Sequence, residues 1–246
     1  MYNRGKHYVT LLNPSIRFKS NKSPAAADAD FALHFGMIRQ YGFGYDQLHD
    51  KYKVLVVMRN STHVLTKLYT FGHDSWKTIH NFNLTPIHFL GIFVSGTLNW
   101  IVQKECVYVI LSFDLEKENS KEILLPQQDD DDDVKLTEHT LYVLNNCLGV
   151  SYETNKTHWV AWLMKEYGVV DSWTKIMIIP YDKLNKQPCF PLFISQNGIV
   201  LLMKKWTSQF FLYNINTGHW INSTETTGTL RVNLHIYCES LVSVPW

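Results

Sequence analysis

The chain has 246 residues, of which 46% are hydrophobic and 14% aromatic, and its formal net charge is +1. This composition excludes a disordered protein, because it supplies enough apolar surface for a sizeable core. The near-zero charge gives no electrostatic reason to expect nucleic acid or a membrane as a partner, and no apolar run approaches the roughly 20 residues of a membrane-spanning helix. We expect a single domain over residues 1–246.

The four cysteines are isolated from one another in the sequence. They lie more than forty residues apart, without a Cys-x-x-Cys pair, at Cys106, Cys147, Cys189 and Cys238. No secretory segment precedes them, so they are predicted to be reduced thiols of an intracellular protein. We therefore expect a location in the cytoplasm, the nucleus or both.

The N-terminal third begins with irregular structure and then enters the sheet. Residues 8–18 (YVTLLNPSIRF) predict a strand broken at Pro14, which cannot donate to a sheet ladder. The apolar pattern then disappears, and residues 19–41 are predicted to be a surface loop. Residues 42–58 (GFGYDQLHDKYKVLVVM) are predicted to be a loop that leads into a buried strand, in which only Lys53 interrupts the apolar run.

Short strands and turns follow along most of the remaining chain. Residues 64–71 and 75–82 are apolar enough for neighbouring antiparallel strands. Ser95 and Gly96 separate two apolar runs in the manner of a tight hairpin, and residues 116–119 form the turn of a second hairpin. Two further copies of this order of hairpin, strand and tryptophan-led strand come later, and the alternating residues 230–244 end the chain as a strand.

An acidic run, QQDDDDD, interrupts the pattern at residues 127–133. Five adjacent carboxylates repel one another, so residues 127–135 are predicted to be a solvated surface loop. The alternatives are a cation site and a contact for a basic partner. The run lacks the glycine and carbonyl positions of a calcium-binding turn, and the solvated loop is the favoured interpretation.

The hairpin turns recur at a regular spacing. SGTL ends at Leu98, NNCL at Leu148 and QNGI at Ile199, at intervals of 50 and 51 residues. A period of about 50 residues with four short strands per unit is typical of a kelch-like β-propeller. The prediction is therefore an all-β propeller of four-stranded antiparallel blades, with a large β-sandwich as the alternative.

A second series of positions supports this period. One residue near the start of the last strand of each unit recurs at intervals of 46, 51 and 47 residues, at Trp76, Glu122, Trp173 and Trp220. Large rings at this place fill the wedge between radially packed sheets, so these tryptophans are interpreted as core rather than as a ligand platform. The tryptophans on inner and middle strands are expected to be mostly core as well, at Trp100, Trp159, Trp162 and Trp206.

No catalytic, cofactor or metal motif is found in the sequence. Gly42 and Gly44 are not followed by the third glycine of a dinucleotide-binding turn. The histidines from His73 to His88 lack the spacing of a zinc-binding helix face. A propeller that processes glycosides needs two facing carboxylates, but the segments FVSG, YVLNN and FISQNG carry none. Their polar residues are interpreted as turn residues, at Asn145, Asn146, Gln196 and Asn197, and we expect no enzyme.

Five segments in register resemble the plant F-box associated domain of the β-propeller type. They are LLNPSIRF (11–18), GFGYDQLHDKYKVLVV (42–57), GTLNWI (96–101), ILSFDLEKE (110–118) and WLMKEYGVVDSWTKI (162–176). The resemblance implies a non-catalytic domain that presents target proteins to a cullin-type ubiquitin ligase. In that family an N-terminal F-box binds the Skp-like adaptor.

The start of this chain departs from the family pattern. Only a few residues precede the Asn-Pro-Ser segment, so an F-box and the opening pair of strands are expected to be absent, and adaptor binding is expected only when an F-box is supplied. The first blade is then incomplete, with Gly42 and Gly44 as the hinge into the first complete blade. We expect residues 230–244 to cover the exposed edge. The alternatives are a carbohydrate-binding or glycoside-processing propeller and a truncated fragment without independent activity.

Overall fold

The structure is a computed structural model. It describes residues 8–26, 38–59, 64–80, 82, 86–105, 107–127, 139–154, 157–180, 189–204 and 209–224. These residues form eighteen β-strands and one short 3₁₀ helix, Val170–Ser172. The prediction of an all-β protein is confirmed. Trp206, most of the acidic run and the C-terminal segment 230–244 lie outside the described residues.

The N-terminal segment forms a small hairpin. Its strands β1 (Leu12–Asn13) and β2 (Phe18–Lys19) pair with each other in antiparallel fashion. The turn is built by Asn13, whose Oδ1 accepts a hydrogen bond from the Ser15 amide at 3.0 Å, as an Asx-turn does. The sequence predicted the break at Pro14 but not the pairing of the two sides.

Two four-stranded antiparallel sets follow and join into one eight-stranded sheet. Its order is β10-β9-β8-β7-β3-β4-β5-β6, and β3 and β7 pair in parallel through Tyr41 with Leu90 and Gly42 with Gly91. The strands are β3 (Ile38–Asp46), β4 (Lys51–Arg59), β5 (Val64–Thr70), β6 (Lys77–Ile79), β7 (Leu90–Val94), β8 (Thr97–Lys104), β9 (Val107–Asp114) and β10 (Asn119–Leu124).

Two further sets each form a separate four-stranded antiparallel sheet in chain order. The third set is β11 (Thr140–Leu144), β12 (Cys147–Thr154), β13 (His158–Met164) and β14 (Trp173–Pro180). The fourth is β15 (Cys189–Ile194), β16 (Ile199–Lys204), β17 (Phe210–Asn214) and β18 (His219–Thr224). The predicted repetition of four-stranded antiparallel units is confirmed.

The described residues divide into two compact units. The first contains those up to Gln103 and Leu111–Glu122, and the second contains Lys104–Ile110 and those from Ile123 onward. Fully buried side chains in the first unit include Leu55, Leu98, Trp100, Phe113 and Leu115. The second has its own core cluster around Tyr142, Trp159, Ile179, Val200 and Leu202.

The repeated hairpin turns have the backbone conformation that a two-residue connection requires. Ser95 and Gly96 have φ values of 50° and 76°, and Asn145 and Asn146 have 49° and 62°. Positive φ at both central residues matches the twist of the flanking strands, and asparagine and glycine adopt it at low cost. These positions are turn residues, as predicted.

The prediction for the segment beginning at Gly42 is wrong in one respect. Residues 38–46 form strand β3, so 38–41 are not loop, and Gly42 and Gly44 lie inside a strand rather than at a hinge. A Cβ on Gly42 would lie 2.8 Å from the Trp100 ring, and one on Gly44 would lie 2.4 Å from the Phe93 ring. The glycines are therefore places where rings rest on the backbone of β3.

The tryptophans are largely core, as predicted. Trp100 and Trp159 are each 1% exposed. Trp173 is buried and its Nε1 donates to the Leu124 carbonyl at 3.1 Å, while Trp220 packs against the core cluster of the second unit. Trp162 is half-buried, and its Nε1 donates to the Tyr152 hydroxyl at 3.0 Å.

Packing around Trp100 gives the first testable prediction. A Cβ on Gly91 would lie 2.3 Å from the Trp100 ring, and this ring is buried inside the first unit. We expect Gly91→Ala to lower the free energy of unfolding by about 2 to 3 kcal/mol, because overpacking forces the backbone or the ring to shift. Urea denaturation followed by tryptophan fluorescence measures the loss.

A double-mutant cycle isolates the steric cause of this loss. In a Trp100→Phe background the smaller ring leaves room, and Gly91→Ala should cost at least about 1 kcal/mol less than in the wild type. Equal costs in the two backgrounds would show that the ring contact is not responsible.

Candidate functional site

The loop after the N-terminal hairpin is docked by hydrogen bonds. Ser23 accepts a bond from the Val9 amide at its Oγ (3.0 Å) and donates its own amide to the Val9 carbonyl (2.9 Å). Ser20 makes the same pair of bonds with Leu11, at 2.8 and 2.9 Å. Sequence patterning predicted a surface loop, but Ser23 is only 4% exposed, because its hydroxyl and amide are used inside the fold.

A ring nitrogen ties this segment to the sheet. The Nε1 of Trp76 donates to the Pro24 carbonyl at 2.9 Å. Trp76 also lies against Tyr69, with ring centroids 5.1 Å apart. Val9 packs on the buried side chains of β4 around Val56. The segment is therefore held over the outer part of the sheet β3–β6 by polar and apolar contacts together.

A cavity of about 450 Å³ lies between the docked segment and the end of β5. Both sides contribute to its lining, which comprises Leu11, Phe18, Ser20, Asn21, Lys22, Ser23, Pro24, Tyr69, Phe71, Gly72, His73 and Asp74. Ligand sites of proteins are commonly clefts of this size, lined by apolar groups with a few polar ones. We take this cavity as the candidate functional site.

Aromatic rings form the inner part of the cavity. Tyr69 and Phe71 meet edge to face with ring centroids 5.1 Å apart, and Tyr69 is only 6% exposed. Burial, and secondarily the charge of Asp74, raises the pKa of the Tyr69 hydroxyl above its ordinary value. This direction agrees with a ring that is packed against its neighbours and contributes an apolar face to the cavity.

The rim of the cavity carries polar and charged side chains. Lys22, His73 and Asp74 are all exposed, and the Lys22 Nζ lies 5.8 Å from the centroid of the Tyr8 ring. Within the part of the chain that the structure describes, neither Lys22 nor Asp74 forms an ion pair. Both charges are therefore open to a ligand at the mouth of the cavity.

A second polar cluster is buried beneath the turns of the first unit. Lys53 faces Gly44 across the β3–β4 ladder, and its Nζ donates to the Leu115 carbonyl at 2.6 Å. The same ammonium lies 2.9 Å from Asp46 and 3.0 Å from Glu118. This cluster joins the set β3–β6 to the turn after β9.

The carboxyl groups of the cluster are held in their ionised form. Burial opposes the ionisation of Asp46, but hydrogen bonds from Lys53 and His49 outweigh it and lower its pKa below the ordinary value. Burial likewise opposes the ionisation of Glu118, and hydrogen bonds from Lys77 and Lys53 lower its pKa. With three partners on one ammonium, the arrangement is a structural lock rather than a reactive site.

The structure brings together few of the residues that the sequence suggested for chemistry. Among the described residues, no three His, Cys, Asp or Glu side chains are placed to hold a metal ion. Asn145 and Asn146 lie in a hairpin turn, and β7, β11 and β15 carry no carboxylate. The described residues contain no helix that is long and apolar enough to cross a membrane.

The cavity itself was missed at the sequence level. Its two sides are about fifty residues apart in the chain, and no local pattern relates them. The only indication lay in the Ser20 to Ser23 stretch, where hydroxyl groups replace the missing sheet pairing. The Lys53 cluster, in contrast, has a signal in the sequence, because a lysine inside an apolar strand must find partners when it is buried.

These features define a class of protein: an all-β repeat protein of four-stranded antiparallel sheets with a ligand-sized cavity. The family described as "F-box associated beta propeller domain" matches residues 6–244. The chain belongs to this family, which confirms the predicted propeller fold and the resemblance stated from the five segments.

Relatives within the family are F-box proteins of Arabidopsis thaliana. An F-box/kelch-repeat protein is 28% identical over 95% of this chain and 63% of its own length. F-box protein CPR1 is 24% identical over 80% of this chain and 54% of its own length. The chain thus spans less than two thirds of either protein. The WD40 domain of SCAP from fission yeast is similar in structure, with TM-score 0.40 and 9% identity over 89% of this chain and 55% of that one.

The Lys53 cluster gives a prediction with an internal control. Lys53→Met should lower the free energy of unfolding by about 3 kcal/mol, because the buried Asp46 carboxylate loses its buried cationic partner and keeps only its contacts with the half-exposed His49. Lys77→Met removes an ammonium that is 67% exposed and lies 2.5 Å from Glu118, and should cost below about 1 kcal/mol. Urea denaturation at neutral pH compares the two, and equal losses would contradict the assignment.

The same cluster predicts how stability depends on pH. Both folded-state pKa values are lowered, so the stabilisation is complete above the ordinary values of 3.8 for Asp46 and 4.5 for Glu118. It is lost as the pH falls through the lowered values. The wild type should therefore lose more stability than Lys53→Met between about pH 6 and pH 3. Parallel pH profiles would be the contrary result.

Proposed function

We propose that the chain is a non-catalytic substrate-recognition module that binds a target protein for ubiquitination. The observation that carries this proposal is the family match over residues 6–244. The relatives are F-box proteins by name, and an F-box associated domain in such a protein is the part available for target binding. The partner is a protein, and this chain is located in the cytoplasm, the nucleus or both.

The geometry of the first unit supports a binding role. A rigid sheet carries a docked segment, and the cavity between them is lined by side chains that are not needed to pair strands. Binding sites are commonly formed in this way, because loops on a fixed scaffold vary without disturbing the core. Asn21, Lys22 and Asp74 are such exposed lining residues.

In this proposal the ligase connection is supplied by an F-box. The Skp-like adaptor binds the F-box, and the propeller holds the target close to the ubiquitin-transfer machinery. The propeller domain therefore holds the target, and an F-box joined to it directs the bound protein to the proteasome.

A fusion experiment tests this proposal. The chain is expressed in plant cells with an F-box fused to its N-terminus, and protein abundances are measured with and without a proteasome inhibitor. We expect a small set of proteins to fall in abundance with the fusion and to recover with the inhibitor. The matched control is a fusion whose F-box carries substitutions that abolish adaptor binding, with which these proteins should remain unchanged.

The opposite outcomes are equally defined. If the active fusion lowers the abundance of no protein that the control fusion leaves unchanged, the proposal of a ligase substrate receptor is wrong. If the purified chain instead binds or hydrolyses glycans on an array, the carbohydrate-binding alternative replaces it. Hydrolysis of any substrate by the purified chain would contradict the non-catalytic role.

A further inference from the structure

We infer that the cavity between the N-terminal segment and β5 binds a short linear peptide of the target protein: one large apolar side chain flanked by an acidic residue and a basic residue. This inference rests on the proposed function and adds to it the chemistry of the target and the place where it binds.

The inner surface of the cavity selects the apolar side chain. Phe18, Tyr69 and Phe71 line it. The Tyr69 ring lies against both Phe71 and Trp76, so it is held in place, and the aromatic rings present apolar faces to the cavity. Large side chains gain the most from contact with fixed aromatic rings, because both partners are desolvated and little conformational entropy is lost.

The rim of the cavity selects the flanking charges. Lys22 belongs to the docked segment and Asp74 to the turn after β5, so the two charges come from the two different sides of the cavity. Neither has an ion-pair partner among the residues that the structure describes. An acidic residue of the peptide facing Lys22 and a basic residue facing Asp74 complement both charges, and a reversed peptide places like charges together.

The volume sets the length of the bound segment. About 450 Å³ is within the range of small-ligand sites. It accommodates one large side chain with the adjoining backbone but no folded element. The target segment is therefore extended and belongs to a loop or terminus. The hydroxyl groups of Ser20 and Ser23 already bind backbone amides of the segment, so the peptide is recognised mainly by its side chains.

A peptide-display selection tests the inference without knowledge of the target. A phage-displayed library of random linear peptides is selected on the purified full chain, and enriched peptides are synthesised and titrated by fluorescence anisotropy. We expect one consensus with a large apolar residue between an acidic and a basic residue. Selection on Lys22→Glu should replace the acidic position by a basic one, and Asp74→Lys should replace the basic position by an acidic one.

Two tryptophan variants locate the binding site. Asn21→Trp places a bulky ring at the cavity lining, where the Asn21 side chain is exposed, and should weaken peptide binding by at least about tenfold. Leu12→Trp is the matched control, because Leu12 is 61% exposed in the adjoining hairpin and does not line the cavity. It should leave the peptide affinity within about twofold of the wild type. Circular dichroism confirms that both variants fold.

Each result decides the question. The inference is overturned if no peptide family is enriched, if the consensus lacks the two opposite charges, or if Asn21→Trp and Leu12→Trp bind the peptides equally well. Lys19→Glu serves as a charge control, since Lys19 is exposed and outside the cavity, and it should not change the consensus. A peptide result does not depend on degradation, so its failure is distinguishable from failure of the ligase role.

Discussion

The close parallel approach of β3 and β7 is the constraint on which the first unit depends. Two four-stranded sets form one sheet only because Gly42 and Gly91 are paired there and lack side chains where the Trp100 ring rests on the backbone. Gly44 does the same beneath Phe93 and Leu115, directly across the β3–β4 ladder from Lys53. Packing in this unit therefore depends on the same missing side chains.

The two polar clusters of the first unit have opposite characters. The Lys53 ammonium is satisfied by a carbonyl and two carboxylates inside the protein, and such a cluster contributes order and no binding capacity. Lys22 and Asp74 are exposed and unpaired among the described residues, so their interactions remain open to a ligand. Lys53 thus differs from Lys22 and Asp74 in the number of partners that the fold already supplies.

The fold was largely predictable from the sequence, and the site was not. Strands and hairpins follow from local patterns of period two and from turn residues such as Asn145, which act over a few positions. The role of Gly44 was misjudged because a glycine within a strand and one at a hinge look the same until the ring opposite is known. Lys22 and Asp74 line the same cavity because the N-terminal segment docks on the sheet, and no local sequence pattern encodes that docking.

The docking of residues 20–24 separates two kinds of information in the chain. Ser20, Ser23 and the Pro24 carbonyl hold the segment in place, while the side chains of Asn21 and Lys22 between them are exposed. If the cavity binds a peptide as we propose, sequence change at these two positions alters what it accepts and keeps the hydrogen bonds that dock the segment. A gene family that duplicates this domain would then have a route to new targets through two adjacent codons.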